Sequence, residues 1–374
     1  GAAAFAQYRA SAALPVDRVH DNTRQRVSVH RARIGVIGAI IPWNAPLLIS
    51  AEKISTALAA GNTVIVKPSP LAPMTTVLLA SLLADHLPSG VLSVLPGDDR
   101  LGESLVAHPA VGMISFTGSI QAGRAIMAAA APRLKRLSLE LGGNDAAIVL
   151  PDVDIPKVAA KLFQGAFYRA GQVCAAIKRL YVHQDAYQPL VAELAKIADS
   201  VVVGDPFDPD VTMGPISNQA QFDRVQAVTE DAVTAGGSIV AGGHPVDRPG
   251  YFYRPTIVTG VGPDTALVAD EQFGPVLPVL PFTDLDEVIQ AANDTEFGLG
   301  ASVWTTDLAR GESVALRLDA GSVWVNRHGL VSPEVPFGGT KQSGVGRANG
   351  QIGLDHYCEL KTVSIALPSP TTRP

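Results

Sequence analysis

Cys174 stands in Gly171-Gln-Val-Cys-Ala-Ala176, with glycine on one side and small residues on the other, so a substrate can approach its sulfur. A thiol reached in this way is a candidate nucleophile toward an electrophilic carbon. Taken alone, a solitary cysteine is more often a small buried hydrophobe. Glu140 closes an apolar run in Leu139-Glu-Leu-Gly-Gly143. It is either a solvated strand end or, when partly desolvated, a carboxylate able to activate water. Asn44, after Pro42-Trp43 at another strand end, is either a turn residue or an amide aimed at an oxyanion. Phe116-Thr-Gly-Ser-Ile-Gln-Ala-Gly-Arg124 follows a strand and opens a helix, where small residues let backbone approach a phosphate. An ordinary strand-helix turn is the other reading. Arg124-Ala125 stands where a Walker loop needs Lys and Ser or Thr, and GxGxxG is lacking, so a kinase or ATPase loop is excluded.

The elements that must position these residues follow from periodicity. From about residue 33 to 150, β-branched runs alternate with amphipathic stretches: Gly35 to Ile41, Leu47 to Ala60, Asn62 to Val66, Met74 to His86, Val111 to Phe116 and Ser119 to Ala130. Strand, helix, strand, helix predicts a parallel sheet covered on both faces, a doubly wound α/β cofactor domain of Rossmann-like type. After Pro151 a second α/β set begins, with helices near Ile155–Tyr168, Asp185–Ser200, Ser217–Ala235 and Asp284–Asn293 and strands near Leu180, Val276 and Ala301. The strand ends bearing Asn44 and Glu140, with Cys174 nearby, are expected to meet above the carboxyl edge of a parallel sheet. Asp17 to Arg33 and Lys361 to Leu367 read as exposed strands seeking a partner edge.

Composition bounds the rest. A chain of 374 residues, 47% hydrophobic, is long enough for two cores. Its formal charge of −6 comes with scattered basic residues, which argues against nucleic acid or an anionic membrane as partner. The two cysteines, Cys174 and Cys358, lack CxxC spacing, which fits a reducing, cytoplasmic compartment; no metal site is expected. The apolar stretch Ile34–Ile41 is far shorter than the roughly 20 residues that span a bilayer. The chain opens on Gly1, and its Ala-rich start reads like the middle of a helix, so a native N-terminus with any address on it is expected to precede it.

Together the motifs carry a resemblance. Ile41-Pro-Trp-Asn44, Gly61 to Pro68, Phe116-Thr-Gly-Ser119, Leu139 to Gly143, Gly171-Gln-Val-Cys174, Glu271-Gln-Phe-Gly-Pro275 and Pro336 to Gly344 are similar, in order and spacing, to the signature segments of the aldehyde dehydrogenase superfamily. The similarity runs from about residue 15 to 367. It implies that Cys174 adds to an aldehyde, that the Asn44 amide and the Cys174 N–H hold the oxyanion, and that hydride leaves for NAD, with NADP tolerated. Water activated by Glu140, its pKa raised by burial, would then hydrolyse the thioester to a free acid. Relatives that pass the acyl group to coenzyme A tend to lack this glutamate. The implied cofactor contacts are Trp43, Lys67, Ser69, Gly118, Ser119, Gly123, Leu141, Gly142, Glu271 and Phe273. The implied substrate tunnel is Phe167, Tyr168, Val173, Ala175, Arg327, Val331 and Phe337.

On this resemblance the domains are a helix remnant at 1–14, oligomerisation strands at 15–33 and 358–368, a cofactor domain at 34–142, a catalytic domain at 143–345 and a return segment at 346–357. A homodimer or homotetramer is implied. Departures are specific. Pro70 stands where NAD-preferring relatives often place a glutamate, and Ala348 where some hold a second carboxylate behind the catalytic one. Ala45 and Glu52 replace frequent aromatics, which implies a wider or more polar tunnel, and Arg327 can meet an anionic tail. Family chains also carry an N-terminal portion absent here, so a cofactor-binding or scaffold protein without turnover is the rival reading.

Overall fold

A computed structural model describes residues 1–368. Its strands, in chain order, are β1 (Asp17–Asp21), β2 (Gln25–Arg33), β3 (Val36–Ile40), β4 (Thr63–Lys67), β5 (Leu92–Val94), β6 (Val111–Thr117), β7 (Arg136–Glu140), β8 (Asp145–Val149), β9 (Ile177–His183), β10 (Ser238–Ala241), β11 (Thr256–Thr259), β12 (Val276–Phe282), β13 (Gly300–Trp304), β14 (Ser322–Val325), β15 (Gly344–Val345) and β16 (Cys358–Ala366). They form three sheets, in the orders β1-β2-β16, β15-β7-β6-β3-β4-β5 and β10-β11-β12-β9-β8-β13-β14. None of the described helices is long and apolar enough to cross a membrane.

Two compact units divide the chain. The first comprises Gly1–Leu139, Val331–Phe337 and the chain from Val345 onward. Its β3 runs parallel to both β4 and β6, and β4 parallel to β5. Ile37, Ala39, Val64, Val66 and Met113 are buried in its core with Ile54 and Ala57 from the helix Pro46–Ala59. This is the doubly wound arrangement that the alternating pattern predicts. The three-stranded sheet is antiparallel, β16 pairing with β2 from Cys358↔Arg33 to Ala366↔Gln25, while β1 is exposed along its whole length. Arg31 ties this sheet together by pairing with Asp17 at 2.9 Å and Asp355 at 2.7 Å.

The second unit comprises Glu140–Leu330 and Gly338–Gly344. Its sheet is parallel wherever β8, β9, β11, β12, β13 and β14 pair, with β10 antiparallel at the edge. Alternate residues of β8 and β9 feed separate cores: Ala147, Val149, Leu180 and Val182 in one, Ala146, Ile148 and Tyr181 in the other. Period-two alternation with both faces apolar leaves a near-continuous hydrophobic run, as the sequence has it.

One buried side chain closes the first unit. Asn62 accepts N–H bonds from Ile34 (2.8 Å) and Gly35 (2.9 Å) and donates to the Tyr357 carbonyl (2.9 Å), fastening the entry to β3 to the returning C-terminal segment. Asn62→Ala strands two donors and an acceptor out of water, so it is expected to cost about 3 kcal/mol. Urea unfolding measures this, and a loss below about 1 kcal/mol would reject the account.

Candidate functional site

In the first unit the parallel register aligns Ile40 with Lys67 on one side and with Phe116 on the other. The residues at and just past these ends therefore share one edge of the sheet: Trp43 and Asn44 before the helix Pro46–Ala59, Lys67 ending β4 and Ser69 after it, and Gly118 and Ser119 after β6. Pro at the first position starts that helix well, because its missing N–H has no intrahelical partner anyway. Lys67 is buried, and its ammonium has the Pro68 carbonyl at 3.4 Å. Burial lowers its pKa, against the opposing pull of Asp99 and Asp98. Ser119 caps the helix Ile120–Ala130, its Oγ accepting from the Ala122 N–H at 3.2 Å. Gly118 leaves room for the Phe116 ring, which a Cβ would strike, and Gly123 is buried within the helix. A buried ammonium at a strand end and a helix N-terminus after a parallel strand suit a dinucleotide's ribose and phosphates. Pro70 is exposed and Ala348 half-buried.

The second unit holds the acid, the thiol and the second carboxylate. Glu140 is the last residue of β7 and only 8% exposed. The chain then passes directly through Leu141-Gly-Gly143 into β8. Gly142 has no room for a Cβ because the Glu271 carboxylate occupies it, and a Cβ on Gly143 would meet the Cys174 carbonyl at 2.8 Å. The Gly143 N–H donates to Glu271 Oε1 at 3.1 Å. Lys178, buried on β9, pairs with the same oxygen at 3.2 Å and donates to the carbonyls of Val173 (2.9 Å) and Cys174 (2.6 Å). Phe273 takes a left-handed backbone (φ 49°), held by Gln221, whose amide donates to the carbonyls of Gln272 (2.9 Å) and Phe273 (3.0 Å). Arg169 and Ala170 are left-handed too, just before Gly171, whose missing Cβ makes way for the Gly274 carbonyl. Strain of this kind persists only where surrounding contacts over-determine it.

Cys174 is half-buried, and burial pushes its thiol up to about 12, reinforced by Glu140, Glu271 and Asp145 and opposed by Lys178. Burial likewise raises the Glu271 carboxyl, against Lys178 and the Gly143 N–H. Cys174 and Glu271 differ from Asn44 and Glu140 in how they stand to their strands. Both precede their strands, β9 and β12, at the amino edge of the second sheet, whereas Asn44 follows β3 and Glu140 ends β7. The reason is topological: β7 ends at Glu140 and β8 starts at Asp145, so the end of one sheet leads straight into the beginning of the other.

A groove beside the Cys174 segment is lined by Tyr168, Val173, Ala175 and Arg327, with Lys161 and His328. Phe167 is buried instead, its ring 4.4 Å from that of Phe163, and Val331 and Phe337 belong to the first unit. Sequence reasoning passed over Lys178, Lys161 and Gln272. Lys178 had a signal: with Arg179 it is one of two adjacent basic residues in a run that β9 needs to be buried on both faces.

Comparison with known proteins agrees with this geometry. A model of the aldehyde dehydrogenase family matches residues 2–363. The chain is 42% identical over 351 residues to a phenylacetaldehyde dehydrogenase of Pseudomonas fluorescens, covering 92% of this chain and 70% of that one. It superimposes with a TM-score of 0.94 on an NAD+ complex of an aldehyde dehydrogenase from Bacillus cereus (37% identity, 97% of this chain, 74% of that one). An NADP-dependent enzyme from E. coli superimposes with a TM-score of 0.95 (35% identity, 98% and 77%). The chain belongs to the aldehyde dehydrogenase family. It is an oxidoreductase that converts an aldehyde to the acid with NAD(P) as hydride acceptor.

The raised thiol makes a pH prediction. Because the Cys174 pKa lies far above neutrality, the sulfur is protonated at pH 7, and its thiolate fraction climbs about tenfold per pH unit. Iodoacetamide labelling of Cys174 in the cofactor-free protein is expected to accelerate continuously from pH 7 to 10. A plateau reached below pH 9 would overturn this.

Proposed function

We propose that Cys174 is the nucleophile, Glu140 the base that activates the hydrolytic water, and Asn44 a second oxyanion donor in addition to the Cys174 N–H. The observation that supports this reading is the convergence of Glu140, Cys174 and Glu271 around Gly142 and Gly143. The sulfur attacks the aldehyde carbon as its proton departs, forming a thiohemiacetal whose oxyanion accepts the two donors. The dinucleotide, when bound, supplies the hydride acceptor. Glu140 then takes a proton from water as the oxygen attacks the thioester, releasing acid and restoring the thiol. Trp43, Lys67, Ser69, Gly118, Ser119 and Gly123 are assigned to the dinucleotide from the first unit. Leu141, Gly142, Glu271 and Phe273 are assigned to it from the second.

NAD is the assigned cofactor, and without a carboxylate at Pro70 NADP is accepted as well. The segment 34–142 serves the cofactor and 143–345 catalysis. The exposed β1 and the β2–β16 pair serve assembly into a homodimer or homotetramer, and the compartment is the cytoplasm. Tyr168, Val173, Ala175, Arg327, Phe167, Val331 and Phe337 are assigned to the substrate. The groove supports an anionic substrate tail, because Lys161 and Arg327 line it and, among the described residues, no carboxylate does.

A scan for NAD(P)H formation over an aldehyde panel tests the assignment. Cys174→Ala is expected to lower turnover by more than about 10³-fold. Unchanged turnover would sink the mechanism, as would acyl-CoA as the main product when coenzyme A is added. Glu140→Gln is expected to slow steady-state turnover about 10²-fold while a pre-steady-state burst of NADH survives. A lost burst would move Glu140 to an earlier step. Arg327→Ser is expected to raise KM about tenfold for an aldehyde with a terminal carboxylate and to leave its neutral analogue unchanged. Equal effects on both would reject the anionic tail.

A further inference from the structure

Lys178 belongs to no step derived so far, yet it is a buried charge with three polar partners. Its side chain is 2% exposed. A buried ammonium is stable only when its charge and its three N–H groups are matched. Here the partners are the Val173 carbonyl, the Cys174 carbonyl and Glu271 Oε1, at 2.9, 2.6 and 3.2 Å. Two belong to the nucleophile segment and the third to the carboxylate assigned to the cofactor. The loop bearing Glu271 is fixed to the same strand from the other side, since the Gln272 amide donates to the carbonyls of Lys178 (3.1 Å) and Val276 (2.9 Å).

We propose that Lys178 is a positioning residue through which the state of the Glu271 carboxylate sets the reactivity of the Cys174 thiol. The proposal rests on the assignment of Cys174 as nucleophile and Glu271 as cofactor ligand. While Glu271 is paired with Lys178, the ammonium's field is largely cancelled at the sulfur. Any ligand that draws the carboxylate away leaves the positive charge held on the Cys174 carbonyl, where it favours thiolate. The carbonyl bonds keep the ammonium in place during this exchange. The direction agrees with the two opposed influences on the thiol, Glu271 raising its pKa and Lys178 lowering it.

The test is alkylation of the cofactor-free enzyme at fixed pH, with mass mapping to separate Cys174 from the fully buried Cys358. Glu271→Gln removes the opposing charge and leaves Lys178, so Cys174 is expected to label about tenfold faster. Lys178→Gln retains a donor for the carbonyls but not the charge, and is expected to label more slowly than the native enzyme. In the Lys178→Gln background the carboxylate has lost its counter-ion and stays protonated, so adding Glu271→Gln is expected to change the rate less than twofold. An equal acceleration in both backgrounds would overturn the coupling, as would no acceleration from Glu271→Gln alone. That single variant keeps the proposal falsifiable if Lys178 replacements fail to fold. Labelling reads the sulfur without turnover, so a failed coupling is distinct from a failed nucleophile, which is read from Cys174→Ala activity.

Discussion

The second unit depends on a close approach that only glycine permits. At Gly142 and Gly143 two loops pass so near the backbone that one Cβ would collide with the Glu271 carboxylate and the other with the Cys174 carbonyl. The glycines' lack of side chains is the space in which thiol and carboxylate come together. The same device recurs at Gly171 against the Gly274 carbonyl, and at Gly274 against Val225. The segments bearing Leu139–Gly143, Gly171–Cys174 and Glu271–Pro275 are therefore interlocked by backbone. A site held this way keeps its geometry because little side-chain freedom remains to be lost.

Close packing has an electrostatic cost. Excluding water from Cys174 and Glu271 disfavours the charged form of each, and the carboxylates Glu140, Glu271 and Asp145 push the thiol further toward its neutral form. A resting enzyme with a protonated sulfur resists adventitious oxidation and alkylation, since the thiolate is the reactive species. It must then be activated at the moment of use. Among the described residues Lys178 opposes this shift, and its ammonium donates to the Cys174 carbonyl.

Much of this was legible in the sequence because it is carried by local rules. The alternation of β-branched and amphipathic runs predicts the parallel sheets, and helices such as Pro46–Ala59 and Ile155–Phe167 begin within a residue or two of where periodicity puts them. Cys174, Glu140 and Asn44 were visible as candidates because small neighbours and strand ends are local features. Less was legible where contacts are distant in sequence. Glu271 lies 128 residues from the Gly143 N–H it accepts, and Asn62 lies 295 from Tyr357. No window of sequence reports those pairings. The direct passage from β7 to β8 is likewise a property of topology.

Lys178 and Arg179 show how one anomaly divides into two answers. Both are basic residues on a strand whose faces are buried, and each must find partners there or neutralise. Arg179 finds main-chain carbonyls: Asn144 at 2.9 Å, Ala291 at 3.2 Å and Ala292 at 3.0 Å. With the Tyr181 hydroxyl at 3.3 Å as a fourth partner, its planar fork is held mainly by fixed backbone, which makes it a structural tie. Lys178 finds two carbonyls and a carboxylate, and the carboxylate alone among these can change its charge or its partner. Neighbours on one strand, alternating to opposite faces, thus separate a tie that holds the sheet to its flanking elements from a charge paired with a titratable carboxylate beside Cys174.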